Sequence, residues 1–529
     1  MRKRCVSILM HRGENVNRKN KRWETPAVLF SITQLYIAVM LAGLPFFAGL
    51  GGYAATGEDT FRFFTVVSAL YLGGLGLGAV ELVFTGSGHF SEILAPLRRL
   101  SGTRICFFAY LAWSALSAAL SPYSGVWAGQ GRYEGLCETL LCVLAFWAVS
   151  SYGRWDHRFL WLLGGVLLLN GVLGLIQYAG GNPLGLYPEG MNYHDAFVLY
   201  SGRFMGTLGN VDILGAFLSL TLPVFYASYL SDGQPPALVP LGTGAFLLAL
   251  ADVDAGYVGA AAALFFTFPI YYTRRSAWGR GLTAVGVLLA GLGLGRLPGA
   301  DRSTALYLRP DGTAAVLIVA GVLLAAFGLM LRRRTGEGSL PQSRLLWLAI
   351  PAGLLAGLAV LYAFPFSGGT LWEIQQLLRG NVNADFGSGR VRIWREVLRL
   401  IQERPLLGGG PDTLLERMTF TFTRYSEELG MTIEAHVDSA HNLFLNTAAN
   451  QGIPALIVWL AGLWLWVRGI LKRRNAAGLL MLAGVTGYLA QGCFSVSLCS
   501  VTGLFWIFLA LGECDIIIIQ HKEDKNNEQ

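Results

Sequence analysis

Residues 159–180 read Phe159-Leu-Trp-Leu-Leu-Gly-Gly-Val-Leu-Leu-Leu-Asn-Gly-Val-Leu-Gly-Leu-Ile-Gln-Tyr-Ala-Gly180, with no charged side chain among them. At 1.5 Å of rise per residue, such a helix covers the roughly 30 Å of a bilayer's hydrocarbon core. Thirteen further stretches are mostly apolar: 27–50, 61–85, 105–120, 135–151, 210–231, 238–252, 256–272, 281–297, 313–331, 345–365, 452–470, 476–494 and 498–519. The reading is an all-α polytopic membrane protein of about fourteen transmembrane helices. The composition agrees. Of 529 residues, 53% are hydrophobic and only 14% charged, against about 25% charged in soluble domains. The mean hydropathy is +0.49. An ordinary soluble enzyme and a disordered scaffold are both excluded. The 67 glycines suit closely packed membrane helices.

The placement of cations sets the expected orientation. Cytoplasmic loops of membrane proteins are enriched in Lys and Arg. With the N-terminus inside, the inner segments hold Arg98, Arg99 and Arg104; Arg154 and Arg158; Arg274, Arg275 and Arg280; Arg332, Arg333, Arg334 and Arg344; and Lys472, Arg473 and Arg474. All six lysines (Lys3, Lys19, Lys21, Lys472, Lys522 and Lys525) also fall inside. Both termini are therefore expected in the cytoplasm, and the short outer loops carry few cations. The organisation that follows is a basic cytoplasmic tail (1–26), eleven spans (27–365), one large extracytoplasmic helical loop (366–451), three spans (452–519) and a short cytoplasmic tail (520–529). The first apolar run is too long for a signal peptide's core, so no cleavable signal is evident. A net charge of +7 invites a nucleic-acid reading, but a basic tail beside a membrane reads anionic lipid instead. The seven cysteines form no CxxC pair and sit mostly in apolar runs, so they read as packing residues.

The 366–451 segment is the exception to the short loops. It holds eight arginines and no lysine, and loops of this length are usually functional. Residues 388–402 predict an amphipathic helix, with Ser388 as its N-cap. Val391, Trp394, Val397, Leu398 and Ile401 form one stripe, and Arg392, Arg395 and Arg399 another. Such arginines either snorkel to lipid headgroups or capture phosphate. The guanidinium fork binds phosphate oxygens bidentately and stays charged. Arg390 is best placed, because a helix start adds its own N–H groups. The Gly408-Gly409-Gly410 turn could cradle an anion, though a structural turn is the simpler reading. Further on, Asp438 or Ser439 predicts a cap for a helix whose first turn holds His441. The positive end of that helix would keep the imidazole neutral, as a general base requires. His436 reads as a packing residue, and no clean zinc pattern joins it to Asp438 and His441. Two smaller outer loops hold His194, Asp195 and Arg203 (181–209) and Arg132 with Glu134 (121–134). No HExxH, GxSxG or Walker loop is present.

These motifs, in this order, resemble the O-antigen ligase and O-antigen polymerase superfamily of bacterial envelope proteins. The resemblance rests on Ser388-Gly389-Arg390 through Trp394, then Pro405-Leu406-Leu407-Gly408-Gly409-Gly410, then His441-Asn442 with Gly452 before a span. An earlier block, Arg203, Gly206, Thr207, Gly209 and Asn210, resembles the family's segment opening a span. The resemblance implies a GT-C-like glycosyltransferase of the bacterial cytoplasmic (inner) membrane, independent of metal or other cofactor. Its donor would be a glycan on undecaprenyl diphosphate. Its acceptor would be a hydroxyl of a glycan, a lipid-linked sugar or a protein, in cell-envelope polysaccharide biosynthesis. Carried over by position, His441 would activate the acceptor and Arg390 would hold the diphosphate. Arg203, Arg392, Arg132, Asn442 and Asp438 would line the substrate site. Departures include Asp252-Val253-Asp254, where many members carry Ser-Arg, and Asn210-Val211-Asp212 for the common Asn-Pro-Asn. The 281–331 hairpin looks like an additional pair of spans. A transporter or flippase of lipid-linked saccharides, or a non-catalytic membrane partner with the same fold, is the alternative. A flippase would need paired intramembrane charges and a central cavity, and the arginine loop would then be dispensable.

Overall fold

The computed structural model describes residues 26–47, 51–86, 93–193, 204–300, 306–309, 311–336, 338, 343–418, 421–426 and 431–527. Each of the fourteen apolar stretches coincides over most of its described residues with helix. Among the described residues, seven helices are long and apolar enough to cross a membrane by length and composition: Gly52–Phe84, Arg158–Tyr178, Val211–Asp232, Arg275–Arg296, Gly312–Arg334, Leu345–Ala363 and Ile453–Arg473. Shorter apolar helices include Ala27–Gly43, Leu136–Tyr152, Pro235–Ala251, Ala476–Gln491 and Cys499–Cys514. Two short antiparallel hairpins interrupt the helices. One pairs Pro298–Ala300 with Leu306–Leu308, and the other pairs Thr421–Ser426 with Met431–His436.

The bundle is built around helix Val211–Asp232, whose apolar window is fully buried. Small residues let its neighbours approach. A Cβ placed on Gly487 would lie 2.0 Å from the Ser219 carbonyl oxygen, and one on Gly484 would lie 2.4 Å from that of Leu220. Close backbone approach of this kind is how helices bind one another in lipid, where burial against water supplies no drive. The pair Arg275–Arg296 and Gly312–Arg334 uses the same device at seven-residue intervals. Gly279 faces Gly328, Gly286 faces Gly321, and Gly293 faces Ala314. Farther from the centre the pattern inverts. Helix Ala349–Ala363 buries no residue, and Leu354, Leu355, Leu358 and Val360 are exposed, as suits a lipid-facing surface.

One charge inside the bundle is held by hydrogen bonds. Arg104, fully buried, donates to the carbonyls of Pro96 and Arg99 at 2.9 Å and to Ser150 and Ser151 at 2.7 Å.

The 366–451 segment forms its own small core over one end of the bundle. Ile393, Val397, Leu400 and Ile401 of helix Arg390–Glu403 pack with Leu414, Met418, Val437, Ala440, Ala448 and Ala449. The buried stripe is rotated from the expected one, because Leu398 is exposed and Ile393 and Leu400 take its place. The segment is bolted to helix Gly102–Ala119 by side chains near its end. Trp113 Nε1 donates to the Leu406 carbonyl at 3.0 Å, and Ser117 Oγ donates to that of Leu407 at 2.5 Å.

Candidate active site

The three-glycine turn is structural. Gly409 N–H donates to the Ala449 carbonyl at 3.0 Å and Gly410 N–H to that of Asn450 at 2.8 Å. Those N–H groups are therefore spent on the end of helix Leu443–Gln451 and do not face an anion. The packing leaves no room for a side chain. A Cβ on Gly408, whose φ is +65°, would lie 2.4 Å from the Asn450 carbonyl oxygen.

Arg390 opens helix Arg390–Glu403, as the sequence suggests, but Ser388 is not its cap. Gly389 takes that position at φ +84° with no side-chain hydrogen bond, and Ser388 itself has φ +58°. Three left-handed residues in succession, Gly387, Ser388 and Gly389, swing the chain so that Arg390 turns toward the bundle. Its Nε donates to the Phe494 carbonyl at 2.9 Å, and one terminal nitrogen donates to that of Gly387 at 2.8 Å. Two contacts thus fix the plane of the guanidinium and leave its other terminal nitrogen unpinned among the described residues.

His441 differs from expectation in its setting. The helix is capped by Asn442, whose Oδ1 accepts from the N–H groups of Phe444 and Leu445 at 3.0 and 2.9 Å. Asp438 and Ser439 precede the cap, so His441 stands before the first turn, at φ +46°. Its low proton affinity comes from another source. Burial pushes the imidazole down to about 4, and the Arg390 guanidinium pushes the same way. Arg132 adds to this, while the carboxylates of Asp212 and Asp438 oppose it. Nδ1 is buried without a hydrogen-bond partner among the described residues. The turn between the last two helices holds the other side of this motif. Three successive carbonyls, of Gly492, Cys493 and Phe494, accept from Leu443 N–H (2.7 Å), Asn442 Nδ2 (2.8 Å) and Arg390 Nε (2.9 Å).

The 121–134 loop closes the site. Arg132 clamps Asp438 in two places: a terminal nitrogen donates to Oδ1 at 3.1 Å, and Nε lies 2.8 Å from Oδ2. Two residues on, Glu134 Oε2 accepts from Asn446 Nδ2 at 3.0 Å, and Asn446 Oδ1 accepts from Ala440 N–H at 3.2 Å. Burial, then the neighbouring Asp412 carboxylate, pushes the Glu134 carboxyl upward. Asp412 is itself pushed up to about 6 by burial, although three backbone N–H groups pull it down.

His441, Arg390, Arg132, Asp438 and Asn442 therefore share one neighbourhood. Arg392 stands exposed and ion-pairs with Asp385 at 2.9 Å. Arg399 pairs with Glu396 and Glu403 along its own helix. His436 is exposed on its strand. Arg203, His194 and Asp195 lie outside the described residues. The rest of the earlier block is structural. Thr207 N–H donates to Asn170 Oδ1 at 2.9 Å, and Asn210 caps helix Val211–Asp232. Among the described residues no group of three His, Cys, Asp or Glu side chains is gathered as a metal would require. Asp412, the 492–494 carbonyls and the electrostatic reach of Asp212 are additions that the motif reading lacked. The first had one available signal: an acid directly after a glycine–proline turn, where Asp tolerates a left-handed backbone.

Residues 303–460 match the family model described as O-Antigen ligase. The match puts this segment in the O-antigen ligase and polymerase superfamily. It includes Arg390, Asp438, His441 and Asn442, while Arg132 and the 492–494 turn lie outside it. No curated protein gives a significant match. O-antigen ligase-type chemistry is glycosyl transfer in a membrane, which agrees in general terms with the apolar helices and with a cationic site beside an imidazole.

Proposed function

We propose that this protein transfers a glycan from undecaprenyl diphosphate to an acceptor hydroxyl at the outer face of the cytoplasmic membrane. The supporting observation is that Arg390 and His441 share one site, with the Arg132–Asp438 pair beside them. In this reading the protein is a GT-C-like enzyme of about fourteen spans with both ends in the cytoplasm. The 366–451 segment then faces outward.

The chemistry follows from the groups present. The acceptor oxygen attacks the anomeric carbon, and the bond from that carbon to the diphosphate oxygen breaks. The electron pair leaves on undecaprenyl diphosphate, and the unpinned N–H groups of Arg390 stabilise the charge that grows there. The acceptor's proton passes to His441. In the free protein His441 is a weak base, because burial first, and then two guanidinium groups, disfavour its protonated form. A bound diphosphate brings negative charge to Arg390 and Arg132, so donor binding raises the basicity of His441 when a base is needed. The acceptor is a glycan, a lipid-linked sugar or a protein side chain.

The test is transfer by purified, folded protein given a lipid-diphosphate glycan. His441→Ala and Arg390→Ala are each expected to abolish product. Normal product from both variants would reject the assignment.

A further inference from the structure

One carboxylate oxygen does unusual work at the edge of this site. Asp412 Oδ2 accepts from the backbone N–H groups of Arg132 (2.9 Å), Gly131 (3.1 Å) and Glu134 (3.4 Å). Asp412 is 3% exposed. The loop it grips has an uncommon backbone, with Gly129 at φ +91° and Tyr133 at φ +58°. A tyrosine there costs conformational energy unless its surroundings hold it. Asp412 itself sits at φ +55°, a region that Asp and Asn tolerate better than most residues. The fit is close on the other side too. A Cβ on Gly129 would lie 2.3 Å from Oδ2. From this loop two arms reach the histidine's turn. Arg132 holds Asp438, and Glu134 holds Asn446, which in turn holds the N–H of Ala440, the residue before His441.

We propose that Asp412 is a positioning residue of the transfer site: its carboxylate fixes the 129–134 loop so that Arg132 and Glu134 hold the turn carrying His441. The proposal rests on the reading of Arg390, Arg132 and His441 as a diphosphate-binding transfer site. Asp412 touches neither substrate nor reacting atoms. It acts through Arg132 and Glu134, so its removal and theirs are coupled losses.

The experiment uses the full chain in lipid nanodiscs and undecaprenyl diphosphate as the probe. Asp412→Gly removes the carboxylate while leaving the left-handed backbone unstrained. It is expected to weaken binding about 10-fold, the size typical of a lost network contact. Asp412→Asn keeps one acceptor oxygen for the three N–H groups and is expected to bind within about 3-fold of the parent. In a background that removes both arms, Arg132→Ala with Glu134→Ala, adding Asp412→Gly is expected to weaken binding no further. Gly129→Ala, which drives a methyl against the carboxylate, reproduces the loss by a second route if Asp412→Gly does not fold. A further loss on adding Asp412→Gly to that background, or parental binding by both Asp412→Gly and Gly129→Ala, would overturn the proposal. Parental binding by both Arg390→Ala and Arg132→Ala instead overturns the site reading, and the positioning role with it.

Discussion

Arg390 Nε donates to the carbonyl oxygen of Phe494 at 2.9 Å, across 104 residues of chain. With the second contact to Gly387, the guanidinium is oriented before any ligand arrives. A preoriented donor costs little to organise at the moment charge develops. Arg390→Ala is therefore expected to lower the transfer rate at saturating donor by about 10²–10³-fold. Arg390→Lys recovers little, because a point charge cannot hold the two carbonyls and present a fork at once. Single-turnover transfer of a labelled glycan measures both, and full activity of the lysine variant contradicts the role.

Acid should separate the two perturbed groups, because their signs are opposite. His441 is lowered from 6.5 to about 4 in the folded protein. Between those values the unfolded chain binds the proton and the folded chain does not, so stability falls as pH drops through that window. Asp412 is raised from 3.8 to about 6. Here the folded chain binds the proton first, so this residue's contribution falls as pH rises through its window. Between about pH 7 and about pH 5, His441→Gln is expected to lose less thermal stability than the parent, and Asp412→Asn more. Melting curves at the two pH values decide, and equal slopes in all three proteins refute the assignments.

Donor binding should alter the imidazole. Undecaprenyl diphosphate is expected to raise the proton affinity of His441 in the intact site, but not in Arg390→Ala, which lacks the main repelling cation. NMR of isotope-labelled imidazole follows this directly. An unchanged titration on adding the lipid would dissociate His441 from the diphosphate.

The Arg132–Asp438 pair is part-buried and close at two points, one of them a hydrogen bond. Its coupling in a double-mutant cycle is expected at about 1 kcal/mol, after allowing for solvent screening. Arg132→Lys behaves like Arg132→Ala here, since lysine offers no fork. Additive losses would show the pair to be incidental.

Gly452 joins the loop core to the next helix at φ +90°, and a Cβ there would lie 2.0 Å from the Leu406 carbonyl oxygen. Gly452→Ala is expected to destabilise the fold by a few kcal/mol, about the upper end for a point change. Its melting temperature against that of Gly357→Ala, a glycine with nothing within 4 Å, is the measurement.

Much of this arrangement was legible in the sequence, because membrane helices announce themselves through uninterrupted apolar length. Residues 159–180 became helix Arg158–Tyr178, and the Ser-Gly-Arg and His-Asn motifs led to Arg390 and His441. What was not legible depends on backbone direction and distant contact. Ser388 has the chemistry of a cap, but Gly389 occupies the position because the chain turns left-handed there. His441 was expected inside a helix; Asn442 competes better for the free N–H groups and moves the start by several residues. Asp412 could be read only as part of a turn, since its three partners lie some 280 residues earlier.

The proposed reaction centre is not a portable cassette. The O-antigen ligase-type segment ends at residue 460, yet its key guanidinium and the asparagine beside its imidazole lean on carbonyls of residues 493 and 494. The Leu406 and Leu407 carbonyls before its glycine turn are held by Trp113 and Ser117, and its histidine turn is gripped by Arg132. Chimeras between relatives must therefore exchange three separated stretches as a set: the one around 113–134, the segment 303–460 and the closing turn at 491–498. Domain swapping by boundaries drawn on the matched segment alone would deliver the motifs without their scaffolding.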